Sequence, residues 1–193
     1  MEKSNSVGSI GRNTLRARFL VFHYDVVLRV RVILFLVKKE GFISALGRII
    51  ESLSVQKLRH HHIKDRCETV LVPVKDIKRI GLPSVGYVAA SQRFGEGRPW
   101  AKTLYWVQVK RDLLARGWTR DPAKYRSWAD FTGELAKWDH VFKSIKEEGF
   151  REVSTPSGNI KVTRDLVFVD GKHRLAMVDV LGLEKIVVTL VEV

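Results

Sequence analysis

Apolar residues recur along this chain at two spacings, and the change from one to the other marks its organisation. Leu15, Phe19, Phe22, Val26, Val30, Ile33 and Val37 fall three and four apart, a helical stripe that Lys38 and Lys39 close and Gly41 breaks. Phe42, Ala45, Leu46, Ile49, Ile50 and Leu53 repeat the same spacing, so the pair predicts a helical hairpin. The β-branched content of residues 26–37 is also compatible with a strand. Residues 70–74 (VLVPV) read as a strand, with Pro73 at an edge or strand end. Residues 76–80 begin a connector, and Gly81, Pro83 and Gly86 mark loops. Helical periodicity returns over 108–116, ended by Gly117, and over 134–146 in Leu135, Trp138, Phe142 and Ile145, ended by Gly149. Asp121-Pro122 between them is a helix-start signal. After a loop at 151–159, residues 166–169 form a short buried strand that stops at Asp170-Gly171. Residues 173–181 are helical, with Leu175, Val178 and Leu181 on one side and Gly182 as the stop. Residues 186–191 read as a second buried strand.

Within this pattern three regions separate: a polar tail over 1–13, a basic amphipathic helical region over 14–66, and a domain over 67–193. The expected class is α+β, a mixed sheet with flanking helices behind the helical segment. Asp25, Arg29 and Arg31 stand in the middle of the first stripe, and three charges make a bilayer-spanning helix costly. Asp25 and Arg29 are four apart and suited to pair. Residues 14–58 therefore read either as an anchor lying on an anionic membrane surface or as helices packed on the domain or on a second subunit of a homo-oligomer. Adjacent histidines at 60–62 point in different directions, which suits a solvated linker better than a metal site.

Charge sharpens that picture. The chain carries 34 Lys and Arg against 21 Asp and Glu, a net +13 in 193 residues. Residues 1–66 hold 13 of the cations and 5 of the acids, leaving +8 there. Such a protein suits an anionic partner: nucleic acid, phospholipid or a charged glycan. The single cysteine, Cys67, excludes an internal disulfide framework and fits the reducing cytoplasm, with the inner face of the membrane as the peripheral alternative.

The chemistry concentrates at Asp170-Arg174 (DGKHR). A strand, a glycine turn and a helix aim the helix N-terminus at whatever sits over the turn, and Lys172, His173 and Arg174 add cations or donors there. The pattern predicts an anion site, with phosphate as the anion. Asp170 beside it either caps the helix through its own side chain or serves the bound phosphate, holding Mg²⁺ or accepting a proton. Arg164 lies just upstream as a further phosphate ligand. Between Ser91 and Trp106, glycine and proline around Arg93, Glu96 and Trp100 predict a shaped loop lining a substrate cleft, while Phe94 and Trp106 read as core plugs. Glu147 and Glu148 end a helix, where the dipole disfavours carboxylates. They are surface charge or a functional carboxylate.

VFVDGKHRLAMVDVLGLEKIVV, with WDHVFKSIKEEGF and QRFGEGRPWAKTLYW before it, resembles the ParB/sulfiredoxin-like superfamily over residues 67–193. The resemblance implies that fold and a nucleotide, ATP or CTP, held by its phosphates at Gly171, Lys172, His173 and Arg174. Sulfiredoxins carry their reactive cysteine within this motif, where this chain has Lys172, so sulfinic acid repair is disfavoured. The D-G-H-x-R turn of the free-serine kinases in this superfamily implies catalytic roles for Asp170 and His173, with the histidine displaced by one position. The same family's segment singles out Glu148. The implied activity is phosphoryl transfer, with Mg²⁺, to a hydroxyl of a small molecule, sugar or membrane-associated glycan. The alternatives are a DNA- or nucleotide-binding module without catalysis. Nucleic acid is disfavoured because no recognition helix is evident after the last strand.

Overall fold

The computed structural model describes residues 15–54, 64–80, 83–116, 127–151 and 159–192. The tail over 1–13, the three histidines and Asp121-Pro122 lie outside the described residues. The rest is mixed α and β. Six helices, α1 (Leu15–Glu40), α2 (Phe42–Ser54), α3 (Val85–Phe94), α4 (Leu104–Arg116), α5 (Trp128–Glu148) and α6 (Lys172–Leu181), surround four strands, β1 (Lys64–Pro73), β2 (Ile160–Val162), β3 (Phe168–Asp170) and β4 (Lys185–Glu192). Residues 26–37 are helical, so the strand alternative for them falls. Val32 packs into the core, where burial outweighs its weak helix preference, while Val26 and Val30 stay exposed.

The sheet order is β1-β4-β2-β3. The apolar run at 186–191 becomes β4, inside the sheet with a neighbour on each side, which is what a nearly unbroken apolar strand requires. β1 pairs with it antiparallel at the sheet edge, and Pro73, which has no N–H to give, ends β1. β2 runs parallel to β4, and β2 and β3 form a short hairpin. The chain leaving β1 crosses to the other edge, where Lys78 donates to Leu166 and accepts from Phe168 through its backbone, at 2.8 and 2.9 Å.

α6 connects the hairpin to β4. Leu175, Ala176, Met177 and Val178 are all buried. Burying a leucine-sized side chain contributes roughly 1.5–3 kcal/mol, so this one helix supplies a substantial part of the core. α3 packs along α6, and α1 lies against α4, placing Leu28 and Val32 in the same hydrophobic cluster as the sheet. The N-terminal helix therefore shares the core of the region that follows it. Asp25 does not pair with Arg29. It meets Arg111 of α4 at 2.8 Å, because the helix turns that carboxylate inward.

One polar cluster crosses this core. Asp179 of α6 receives two bonds of 2.6 Å from Arg79 and a short bond from the Tyr87 hydroxyl of α3. Lys39 of α1 donates to Tyr87 at 2.7 Å and stands 3.6 Å from Asp179. Burial, then the negative charge of Asp179, pushes the Tyr87 phenol above its ordinary range. Burial by itself would lower the Arg79 guanidinium, but hydrogen bonds and charge from Asp179 outweigh it and its net direction is upward.

Replacing Asp179 with alanine strands Arg79 beside the core, and we expect a loss of about 3 kcal/mol in urea unfolding. The folded chain holds the Tyr87 proton more tightly than the unfolded one. Its contribution is complete below about pH 10 and fades as the pH rises further. Unfolding free energies measured on either side of that pH should show a shallower alkaline decline in Tyr87→Phe than in the wild type.

Candidate functional site

The turn that joins β3 to α6 owes its shape to one glycine. Gly171 has φ +94°, and a Cβ there would lie 2.9 Å from the Cα of Ile160. Left-handed backbone and contact with the neighbouring strand both call for glycine. Asp170 precedes it, exposed at the end of β3 and opposite Lys161 in the hairpin register. Lys172 follows, exposed on the first turn of α6. The turn carries Asp170, Gly171, Lys172 and Arg174.

Arg174 is half-buried, its guanidinium 5.6 Å from the centre of the Trp138 ring. Burial lowers its pKa, while the charges of Asp170 and then Glu134 act in the opposite direction. An arginine starts so high that it remains cationic. Glu134, on the second turn of α5, is thus a carboxylate close to the turn, and Lys161 is a further cation beside Asp170. Sequence spacing singled out neither. Glu134 stands one helical turn before Trp138, but only the packing of α5 on α6 shows which face meets the turn.

His173 takes a different place from the one expected of a phosphate ligand. It is 6% exposed, with its ring centre 4.4 Å from that of Trp138 and 5.3 Å from that of Tyr105. Its other side faces α3, where a Cβ on Gly86 would come within 2.5 Å of Nε2. The ring is a structural contact between α3, α4, α5 and α6. It faces inward because successive residues of a helix point about 100° apart, so Lys172 and Arg174 cannot share its direction. Gly86, expected in a loop, belongs to the first turn of α3 and allows this close approach.

Other predicted residues stand away from the turn. Glu148 is exposed and pairs with Arg151 at 3.2 Å, roughly three helical turns or ~15 Å beyond Trp138. Arg164 occupies the far end of the β2–β3 hairpin and lies 3.8 Å from Glu192. Arg93 is on α3 rather than in a loop, bonded to both oxygens of Asp139 at 2.9 and 3.1 Å. Trp100 donates to the same carboxylate at 3.1 Å. Glu96 pairs with Arg98 at 2.5 Å. These three form an anchored corner between α3 and α5, separated from His173 by Tyr105. Phe94, stacked on Phe142 at 4.2 Å, and Trp106, stacked on Trp128 at 5.1 Å, are aromatic plugs.

Among the described residues, no group of three or more His, Cys, Asp or Glu side chains gathers as a metal site. Mg²⁺ bound with nucleotide needs less, because one or two carboxylates suffice when phosphates and water complete its shell. Asp170 suits that role. No protein-family model, curated protein or solved structure matches the chain, so its chemistry rests on its own residues.

Gly171→Ala adds a methyl to a left-handed residue already touching Ile160. We expect about 2–4 kcal/mol of lost stability in urea unfolding, from backbone strain and overpacking together.

Proposed function

We propose that this chain is a nucleotide-dependent phosphotransferase of the ParB/sulfiredoxin-like kind, acting in the cytoplasm on a hydroxyl acceptor. One observation carries the reading: an exposed carboxylate, Asp170, stands beside a left-handed glycine that opens a helix whose first turn bears Lys172 and Arg174. The phosphates of ATP or CTP would rest over Gly171, where the helix N-terminus and these cations face negative charge. Mg²⁺, held through Asp170 and the phosphates, would supply further charge neutralisation. Arg174, supported on the Trp138 ring, would spread its charge over the phosphoryl oxygens.

The chemical step is a simple displacement. An acceptor hydroxyl oxygen forms a bond to the terminal phosphorus, the bond from that phosphorus to the nucleoside diphosphate breaks, and the hydroxyl proton passes to the Asp170 carboxylate. The chain's contribution is placement and charge, both of which a rigid turn provides. In this reading His173 is a positioning residue, since its ring anchors the helix from behind. A sugar, a small molecule or a membrane-linked glycan would offer a suitable hydroxyl.

The inward placement of His173 favours a second reading, a nucleotide-binding module without catalysis. Asp170 then caps or orients the ligand and no bond is made. Measuring nucleotide binding and turnover with Mg²⁺, wild type beside Asp170→Ala, separates the two. The phosphotransferase reading expects turnover in the wild type and a loss of at least about a hundredfold in the variant. Binding without turnover in both would leave the module, and failure of ATP and CTP to bind would overturn both readings.

A further inference from the structure

The first two helices present an unusual surface. Of the eleven large apolar side chains exposed among the described residues, nine are on α1 and α2. Phe19, Phe22, Val26, Val30 and Leu34 form a stripe on α1, while its other face buries Leu28, Val32 and Leu36. On α2, Phe42 is 69% exposed, Ile43 86% and Ile50 61%, with Ala45 buried beneath. So many exposed apolar side chains concentrated on two adjoining helices of a folded protein mark an interaction site.

The charges bordering it indicate what covers it. At ~100° per residue, Arg29 falls along one border of the α1 stripe and Arg31 and Lys38 along the other. All three are exposed, with no ion-pair partner among the described residues. Two acids of the hairpin are neutralised internally, Asp25 by Arg111 at 2.8 Å and Glu40 by Arg48 at 2.9 Å. The outward face of α1 is therefore apolar along its centre and cationic at its borders. A second copy would bring like charge against like charge on a chain already carrying +13. Phospholipid offers the complement, acyl chains for the stripe and anionic headgroups for cations that reach outward from it. No described helix is long and apolar enough to cross a membrane.

We propose that the outward face of α1 and α2 docks on an anionic phospholipid bilayer, with the helices lying in the headgroup layer. The fold presents this face ready-made, because α1 is held by its opposite side against α4 and the core. The proposal is independent of nucleotide chemistry at the Gly171 turn.

Flotation of the full chain with phosphatidylcholine vesicles, with and without phosphatidylglycerol, tests it. The expected partition is at least about tenfold stronger with phosphatidylglycerol, and weakens with added salt. Phe22→Asp and Ile43→Asp each lower it at least about tenfold while leaving thermal unfolding unchanged, since both positions are exposed. Joint reversal Arg29→Glu and Arg31→Glu removes the preference for anionic lipid and makes no demand on packing, so it stands as a test even if an apolar variant misfolds. Absence of flotation with anionic vesicles overturns the proposal, as does equal binding to neutral ones. A dimer in solution that Phe22→Asp dissociates, without vesicle binding, would assign the face to a second copy.

Discussion

A single carboxylate ties the molecule together. Asp179 meets Arg79 from the segment after β1, Tyr87 from α3 and Lys39 from α1, while its own helix lies in the core. Four parts of the chain, spread between Lys39 and Asp179, are thus held at one point. Charged hydrogen bonds at the edge of a core strengthen each other as water is excluded, and they fix geometry in a way that apolar contact does not. Leu175 and Val178 would tolerate small sliding of α6. The paired bonds from Arg79 to Asp179 would not.

That constraint reaches the turn at the other end of the helix. With α3 and α6 held together through Tyr87 and Asp179, the backbone of Gly86 lies directly on His173 and Lys172. The histidine is enclosed by Tyr105 and Trp138, and Trp138 also carries Arg174. The first turn of α6 is therefore supported from behind by rings and from below by Ile160. A site that acts by position and charge benefits from this rigidity, because little reorganisation is left to occur when a ligand arrives. The same arrangement explains why His173 faces inward between the exposed Lys172 and the half-buried Arg174.

Electrostatics divide the molecule in a complementary way. In the N-terminal hairpin Asp25 pairs with Arg111 and Glu40 with Arg48, and Asp139 holds Arg93 and Trp100 together. Pairing removes these acids from the surface field and leaves exposed lysines and arginines to set its sign. The basic character of the chain is thus concentrated outward, where screening by salt governs its reach.

Local chemistry was enough to determine much of this protein. Apolar spacing gave the hairpin of helices, α5 and α6. The β-branched runs gave β1 and β4, and Asp170-Gly171 and Gly182 marked the two ends of α6. Those features depend on neighbours a few residues apart, so they are legible in one dimension. Two boundaries moved: α4 begins at Leu104, whose amide donates to the Gln92 side chain of α3, and α5 begins at Trp128, where Ser127 accepts a bond from the amide of Asp130 as a local cap. Only the tertiary structure decided the partners of Asp25, Arg93 and Asp179, the closeness of Glu134 to Arg174, the inward turn of His173 and the outward turn of Phe22 and Ile43. A periodic stripe says that one face is apolar, but not whether core or solvent will meet it. That choice depends on which distant segments arrive to cover it, and short-range spacing holds no record of them.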